Sequence, residues 1–252
     1  ISTIHVFAKA MIDKYLPEGR SLMWGTSELC QKALEVSAGL DRFTALNIMR
    51  CINEIDGGRR KACDFTDEIQ EYYRKYTEFL KRIRRISFDG ALNILNSLLD
   101  NKEILEDIRN TYRYIVVDEF QDVNKVQFEI VRKLTGEKGN LFVVGDMNQS
   151  IYGFNGSELS IMANFEEYFP ESESINVNEN YRSGENIIEV ANTLIESSEI
   201  KTEPLNANYE KLGYINVEVG EYAQDLYDMC AETIIDKVNS GGHYKDNCII
   251  AR

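Results

Sequence analysis

The chain has 252 residues, 43% of them hydrophobic and 28% charged, which is enough for one large domain or two smaller ones with separate cores. A net charge of −14 excludes a protein that coats nucleic acid by bulk electrostatics, so any such contact has to be a local groove with aromatic platforms. No run of about 18 uncharged apolar residues occurs, which argues against a membrane span, and five scattered cysteines without CxxC spacing, with only two histidines, argue against zinc and for reduced thiols.

Residues 3–15 put Ile4, Phe7, Ala8, Met11, Ile12 and Tyr15 on one helical face, and Pro17 and Gly19 break the pattern. From about 26 to 108 everything reads as helix. Ile69, Tyr72, Tyr73, Tyr76, Phe79, Leu80 and Ile83 form an amphipathic stripe, whose tyrosines are expected in a core. The polar stretch NEIDGGRRKACD reads as a mobile loop.

The texture changes near residue 112. YIVV and LFVVGD are short apolar runs, expected as strands buried on both faces of a parallel sheet. The helical spacing of NKVQFEIVRKLTG between them makes a βαβ unit, with chemistry expected at the carboxyl ends of its strands. Asp118-Glu119 and Asp146 then share one sheet edge. Further on, SINVN reads as a strand, the segment after Arg182 as a helix with Ser183 as N-cap, YINVEV as a strand, 222–239 as a helix and NCIIAR as a last strand.

Three stretches carry candidate chemistry. A buried strand ending in Asp-Glu can hold Mg²⁺ through one carboxylate and orient an attacking water with the other. In VGDMNQSIYGFNGS, Gln149 is an amide that could reach a phosphate, and Tyr152 and Phe154 are aromatic faces in a polar loop, suited to capping a core or to stacking bases. In NENYRSGEN, Arg182 stands beside the ring of Tyr181 at a helix mouth, where it could pair with phosphate oxygens or with a surface carboxylate.

Together and in this order, these stretches resemble the UvrD/Rep family of superfamily 1 DNA helicases. VVDEFQD is similar to the family's second helicase motif, VGDMNQSIYGFNG to its third and NENYRS to its fourth. STIHVFAKAMI resembles a segment at the DNA groove, and ISFDGALNIL the stretch closing a helical insertion. The resemblance implies an ATP-driven enzyme with ATP and Mg²⁺ as nucleotide and metal. Asp118 would hold the metal, Glu119 would activate water, and Gln149 would sense the γ-phosphate. Tyr181 would lie against the adenine, and Arg182 would act as an arginine finger. Tyr152, Phe154, Asn155, Thr3, His5 and Arg252 would meet the DNA. Asn155 departs from the family's arginine, which weakens the expected hold on DNA.

The implied fold class is α/β: a partial RecA-like parallel-sheet motor domain with an all-α insertion, followed by the start of a second RecA-like domain. The expected division is 1–12 and 110–176 for the first motor domain, 13–109 for the insertion and 177–252 for the second motor domain. No glycine is followed by lysine, so a GxxxxGK[ST] phosphate loop is absent, and nothing matches the family's last two motifs. The chain is therefore expected to be an internal fragment, monomeric and unable to hydrolyse ATP by itself. Its intact parent would be a translocase on single-stranded DNA and single-strand/duplex junctions, serving repair or recombination. It would be cytoplasmic, bacterial and nucleoid-associated, with repair or nuclease proteins as partners. The alternative is a non-catalytic helicase-fold subunit of a nuclease or regulatory complex. A metal-dependent nuclease using Asp118, Glu119 and Asp122 would leave the Gln149 and Arg182 motifs without a role.

Overall fold

The computed structural model describes residues 1–136, 139–150, 159–197, 202–208 and 212–250, and the chain forms two units, Ile1–Ser174 and Ile175–Arg252. Helix α1 (Ile4–Tyr15) begins where the Thr3 hydroxyl accepts the Val6 N–H. The same device starts α2 (Ser27–Ala38) at Thr26, α3 (Arg42–Asp56) at Asp41 and α4 (Asp67–Arg82) at Thr66, each side-chain oxygen satisfying an otherwise unpaired N–H of the first turn. Gly39, at φ +71°, closes α2 in the left-handed conformation that glycine adopts without steric cost.

The helices within 13–109 fall into two cores rather than one. Leu34, Ala45, Ile52, Tyr76 and Leu80 seal α2, α3 and α4 against each other. Ala8 and Ile12 of α1 pack instead with Leu92 and Leu95 of α5 (Phe88–Leu98), Ile108 of α6 (Lys102–Thr111) and Ile130 of α7 (Lys125–Thr135). Between the cores, β1 (Met23–Trp24) and β2 (Arg85–Ile86) pair in parallel, so the chain leaves and re-enters the α2–α4 block at adjacent points. The tyrosine stripe of α4 is core as expected: Tyr76 is 1% exposed, and the Tyr73 hydroxyl donates to Asp56 Oδ1 at 2.6 Å. The NEIDGGRRKACD stretch is more ordered than a plain loop. Its first residues finish α3, Gly58 turns the chain at φ +74°, and Ala62–Asp64 form a 3-10 turn.

Strands β3 (Tyr114–Val117) and β4 (Asn140–Val143) run parallel in register from Tyr114↔Asn140 to Val117↔Val143, with α7 as the crossover. The βαβ unit is therefore present, but burial on both faces is not. Val117 and Val143 pack on Phe120, Phe128 and Ile161, whereas Tyr114, Val116 and Phe142 stay 59–76% exposed. A continuous apolar run fixes neither face by itself, and here only one face is covered. Two short helices, α8 (Leu159–Ala163) and α9 (Phe165–Tyr168), complete this unit.

In the second unit, β5 (Glu179–Asn180) pairs in parallel with β6 (Asn206–Ala207). Helices α10 (Glu185–Glu196) and α11 (Ala223–Asn239) form as the spacing predicts. The strands expected at SINVN, YINVEV and NCIIAR do not form among the described residues. Ile175, Val177, Tyr214, Val217 and Val219 are all at least 78% exposed. Alternation marks a potential sheet face, but a strand also needs a neighbouring backbone to complete its ladder. Ser183 is not the cap of α10: Gly184 holds that position, and Asn180 Oδ1 accepts the Arg182 and Ser183 N–H groups instead.

Overall the chain is a mixed helix–strand protein whose strands pair in parallel. No helix among the described residues is long and apolar enough to cross a membrane.

Candidate active site

Where β3 ends, two further backbone hydrogen bonds continue its parallel pairing with β4. Val144 N–H donates to Val117 O and Phe120 N–H to Val144 O, both at 2.9 Å. The acids after each strand are thereby held side by side. Glu119 sits at φ 52°, ψ 47°, a left-handed conformation that costs a residue with a Cβ about 1–2 kcal/mol. The 3-10 turn Phe120–Asp122 follows, anchored by Phe120, which is 1% exposed and meets Phe165 edge-on at 5.6 Å. The anchored turn and the ladder extension together hold this unfavourable backbone in place.

The side chains form a short chain of hydrogen bonds. Asp118 Oδ1 accepts the Glu119 N–H at 3.0 Å. Glu119 Oε2 accepts from Gln121 Nε2 at 2.6 Å, and Gln121 Oε1 accepts the Asp146 N–H at 3.0 Å. Asp146 follows β4 and caps the 3-10 turn Met147–Gln149, with Oδ1 accepting the Asn148 N–H at 2.9 Å and Oδ2 accepting from Gln149 Nε2 at 2.7 Å. Asp122 lies beneath. Desolvation first, and then the Glu119 charge, push its carboxyl above the usual range, and its Oδ1 is buried without a protein partner.

The second oxygens of Asp118 and Glu119 accept no hydrogen bond among the described residues, so both carboxylates keep a free acceptor. No group of three or more His, Cys, Asp or Glu among the described residues could cage a metal. A lone free Asp118 oxygen suits Mg²⁺, which commonly takes one or two carboxylates and completes its octahedron with phosphate and water.

Of the residues singled out in the sequence, Asp118, Glu119 and Gln149 come together here. Thr3 caps α1 and His5 lies in its first turn. The Thr3 oxygen serves the helix cap, and His5 lies half-buried, edge-on to Phe88 at 5.6 Å, with Phe88 stacked on Trp24 at 4.8 Å. Burial lowers the His5 pKa, against an opposing pull from Asp89. Tyr181 and Arg182 belong to the second unit, exposed in the turn that Asn180 organises ahead of α10. Tyr152, Phe154, Asn155 and Arg252 lie outside the described residues. Sequence reading missed Gln121 as a site residue. Its only signal was position, between two acids just past an apolar strand.

A family model described as the UvrD/REP helicase N-terminal domain matches residues 26–170. The chain is 32% identical over 212 residues to an ATP-dependent DNA helicase PcrA of Staphylococcus epidermidis, covering 82% of this chain and 29% of that protein. It is 33% identical over 200 residues to an ATP-dependent DNA helicase PcrA of Staphylococcus aureus, covering 77% and 27%. The chain thus spans under a third of the length of the curated relatives it matches. The match includes the whole strand-end network, and the chain belongs to the UvrD/REP helicase family.

Proposed function

We propose that this chain is part of the motor of an ATP-dependent DNA helicase that moves along single-stranded DNA and opens duplex at junctions. The observation that carries the reading is the in-register pairing of β3 and β4, which sets Asp118-Glu119 beside Asp146 and its Gln149 turn. The parallel β3–α7–β4 unit supports a RecA-like first motor domain, with residues 13–109, which hold the separate α2–α4 core, as its helical insertion and residues 177–252 as the start of a second motor domain.

In this reading the free oxygen of Asp118 would hold Mg²⁺, which would supply charge neutralisation at the phosphates of bound ATP. The free oxygen of Glu119 accepts a proton from the attacking water and orients it. Gln149 reads the γ-phosphate from the neighbouring strand end, Tyr181 lies against the base of the nucleotide, and Arg182 pairs with the transferred phosphoryl group. Tyr152 and Phe154 stack on DNA bases, and Asn155, Thr3, His5 and Arg252 contact the strand. Residues 1–252 alone do not turn over ATP, because this stretch has no GxxxxGK[ST] cradle. Repair or nuclease proteins are the expected partners, and the cytoplasm the expected compartment.

The net charge of −14 favours a second reading, a subunit that keeps the fold and binds DNA or protein without turnover. ATP hydrolysis by the full-length protein, with and without oligo-dT, separates the two. The motor reading expects turnover stimulated at least about tenfold by the single strand. Absence of any DNA-stimulated turnover contradicts it and leaves the binding subunit.

A further inference from the structure

Gln121 is 2% exposed, yet it sits between two solvent-facing acidic strand ends. Both ends of its amide are occupied: Nε2 donates to Glu119 Oε2 and Oε1 accepts the Asp146 N–H. That fixes its orientation, because the flipped amide would aim an acceptor at a carboxylate and a donor at an N–H. The space it fills is shaped for it, since a Cβ on Gly145 would lie 2.8 Å from Gln121 Oε1.

We propose that Gln121 is a positioning residue that ties the Glu119 carboxylate to the backbone at the end of β4. The inference rests on the reading of Glu119 as the group that activates water. Among the described residues only one oxygen of Glu119 is held, so the other is presented in a set direction while remaining free to take a proton. The tie also has a mechanical consequence. The Asp146 N–H that anchors Gln121 belongs to the residue capping the Met147–Gln149 turn, and the Asp146 carboxylate holds Gln149. A displacement of that turn moves the anchor of Gln121 and, through one buried amide, the carboxylate of Glu119.

The test uses the full-length protein with ATP and oligo-dT, measuring kcat, KM for ATP, oligo-dT affinity and thermal unfolding for Gln121→Glu, Gln121→Met and Glu119→Gln. Gln121→Glu keeps the acceptor for the Asp146 N–H but loses the donor to Glu119; Gln121→Met keeps the size and loses both. Each is expected to lower DNA-stimulated kcat by about tenfold or more, with KM and oligo-dT affinity within about twofold. If Gln121→Glu fails to fold, Gln121→Met, which buries no new charge, decides on the same criteria. Wild-type kcat in the folded variants, or a raised KM with unchanged kcat, overturns the proposal. So does a lowered Tm with normal turnover per folded molecule, which would make Gln121 structural only. Turnover that survives in Glu119→Gln overturns the base reading itself. Loss of turnover in Glu119→Gln with normal Gln121 variants overturns only the positioning role.

Discussion

The two units of the chain carry similar patterns and use them differently. In the first, helical stripes become cores: Leu34, Ile52, Leu92, Leu95 and Ile130 are each 0% exposed. In the second, α11 spans 17 residues without one buried side chain, and Ile188 of α10 is the sole buried apolar residue among those described. An amphipathic pattern specifies which face is to be covered, but stability comes only when another element covers it. The site follows the same rule. Its acids keep their geometry because the ladder of β3 and β4, a capped turn and a buried amide each fix one part of it.

That contrast predicts a graded set of responses in denaturant unfolding of the chain. The largest belongs to the α2–α4 core, where Ile52→Ala is expected to remove about 3–4 kcal/mol through lost burial and the cavity left behind. A loss under about 1 kcal/mol would mean that this core closes over the gap and is less tightly packed than its burial implies.

Asp56, in the same core, gives a pH signature. Burial pushes its carboxyl up to about 6, even though the Tyr73 hydroxyl donates to it. The folded state therefore keeps a proton that the unfolded state releases near pH 4, so stability falls as pH rises from about 4 to 6 and is flat above. Asp56→Asn retains the acceptor for Tyr73 and removes the titration. The wild-type chain should lose about 2 kcal/mol more than the variant between pH 4 and 7. Parallel pH profiles would show that Asp56 is solvated after all.

Caps come next. Asp41 accepts the N–H groups of Phe43 and Thr44 at 2.9 and 3.1 Å, and Asp41→Ala should cost about 1 kcal/mol. The smallest effect falls in the second unit. Ile235 on α11 is 45% exposed, and Ile235→Ala should change stability by no more than about 0.5 kcal/mol. A cost of several kcal/mol there would break the comparison, because it would show α11 to be covered in the molecule.

Much of this was legible from residue order. Three-and-four spacing located α1, α4, α7, α10 and α11, and apolar runs located β3 and β4 with their acidic ends. What escaped has a common cause. The pairing of Met23–Trp24 with Arg85–Ile86 joins residues far apart in the chain and leaves no periodic trace in two-residue strands. Gln121 is polar in a polar stretch, and its burial arises only when β4 brings Gly145 and Asp146 alongside. The strands expected at SINVN, YINVEV and NCIIAR do not form among the described residues, where no neighbouring strand pairs with them.

The most direct test of the account is the ATP turnover of the full-length protein carrying Glu119→Gln, with Mg-ATP binding measured on the same sample. The account predicts a fall in DNA-stimulated kcat of at least about a hundredfold with nucleotide affinity preserved, because the carboxylate acts on water rather than on ATP. Turnover near the wild-type rate would contradict it, and the acids at the ends of β3 and β4 would then be holding structure rather than performing chemistry.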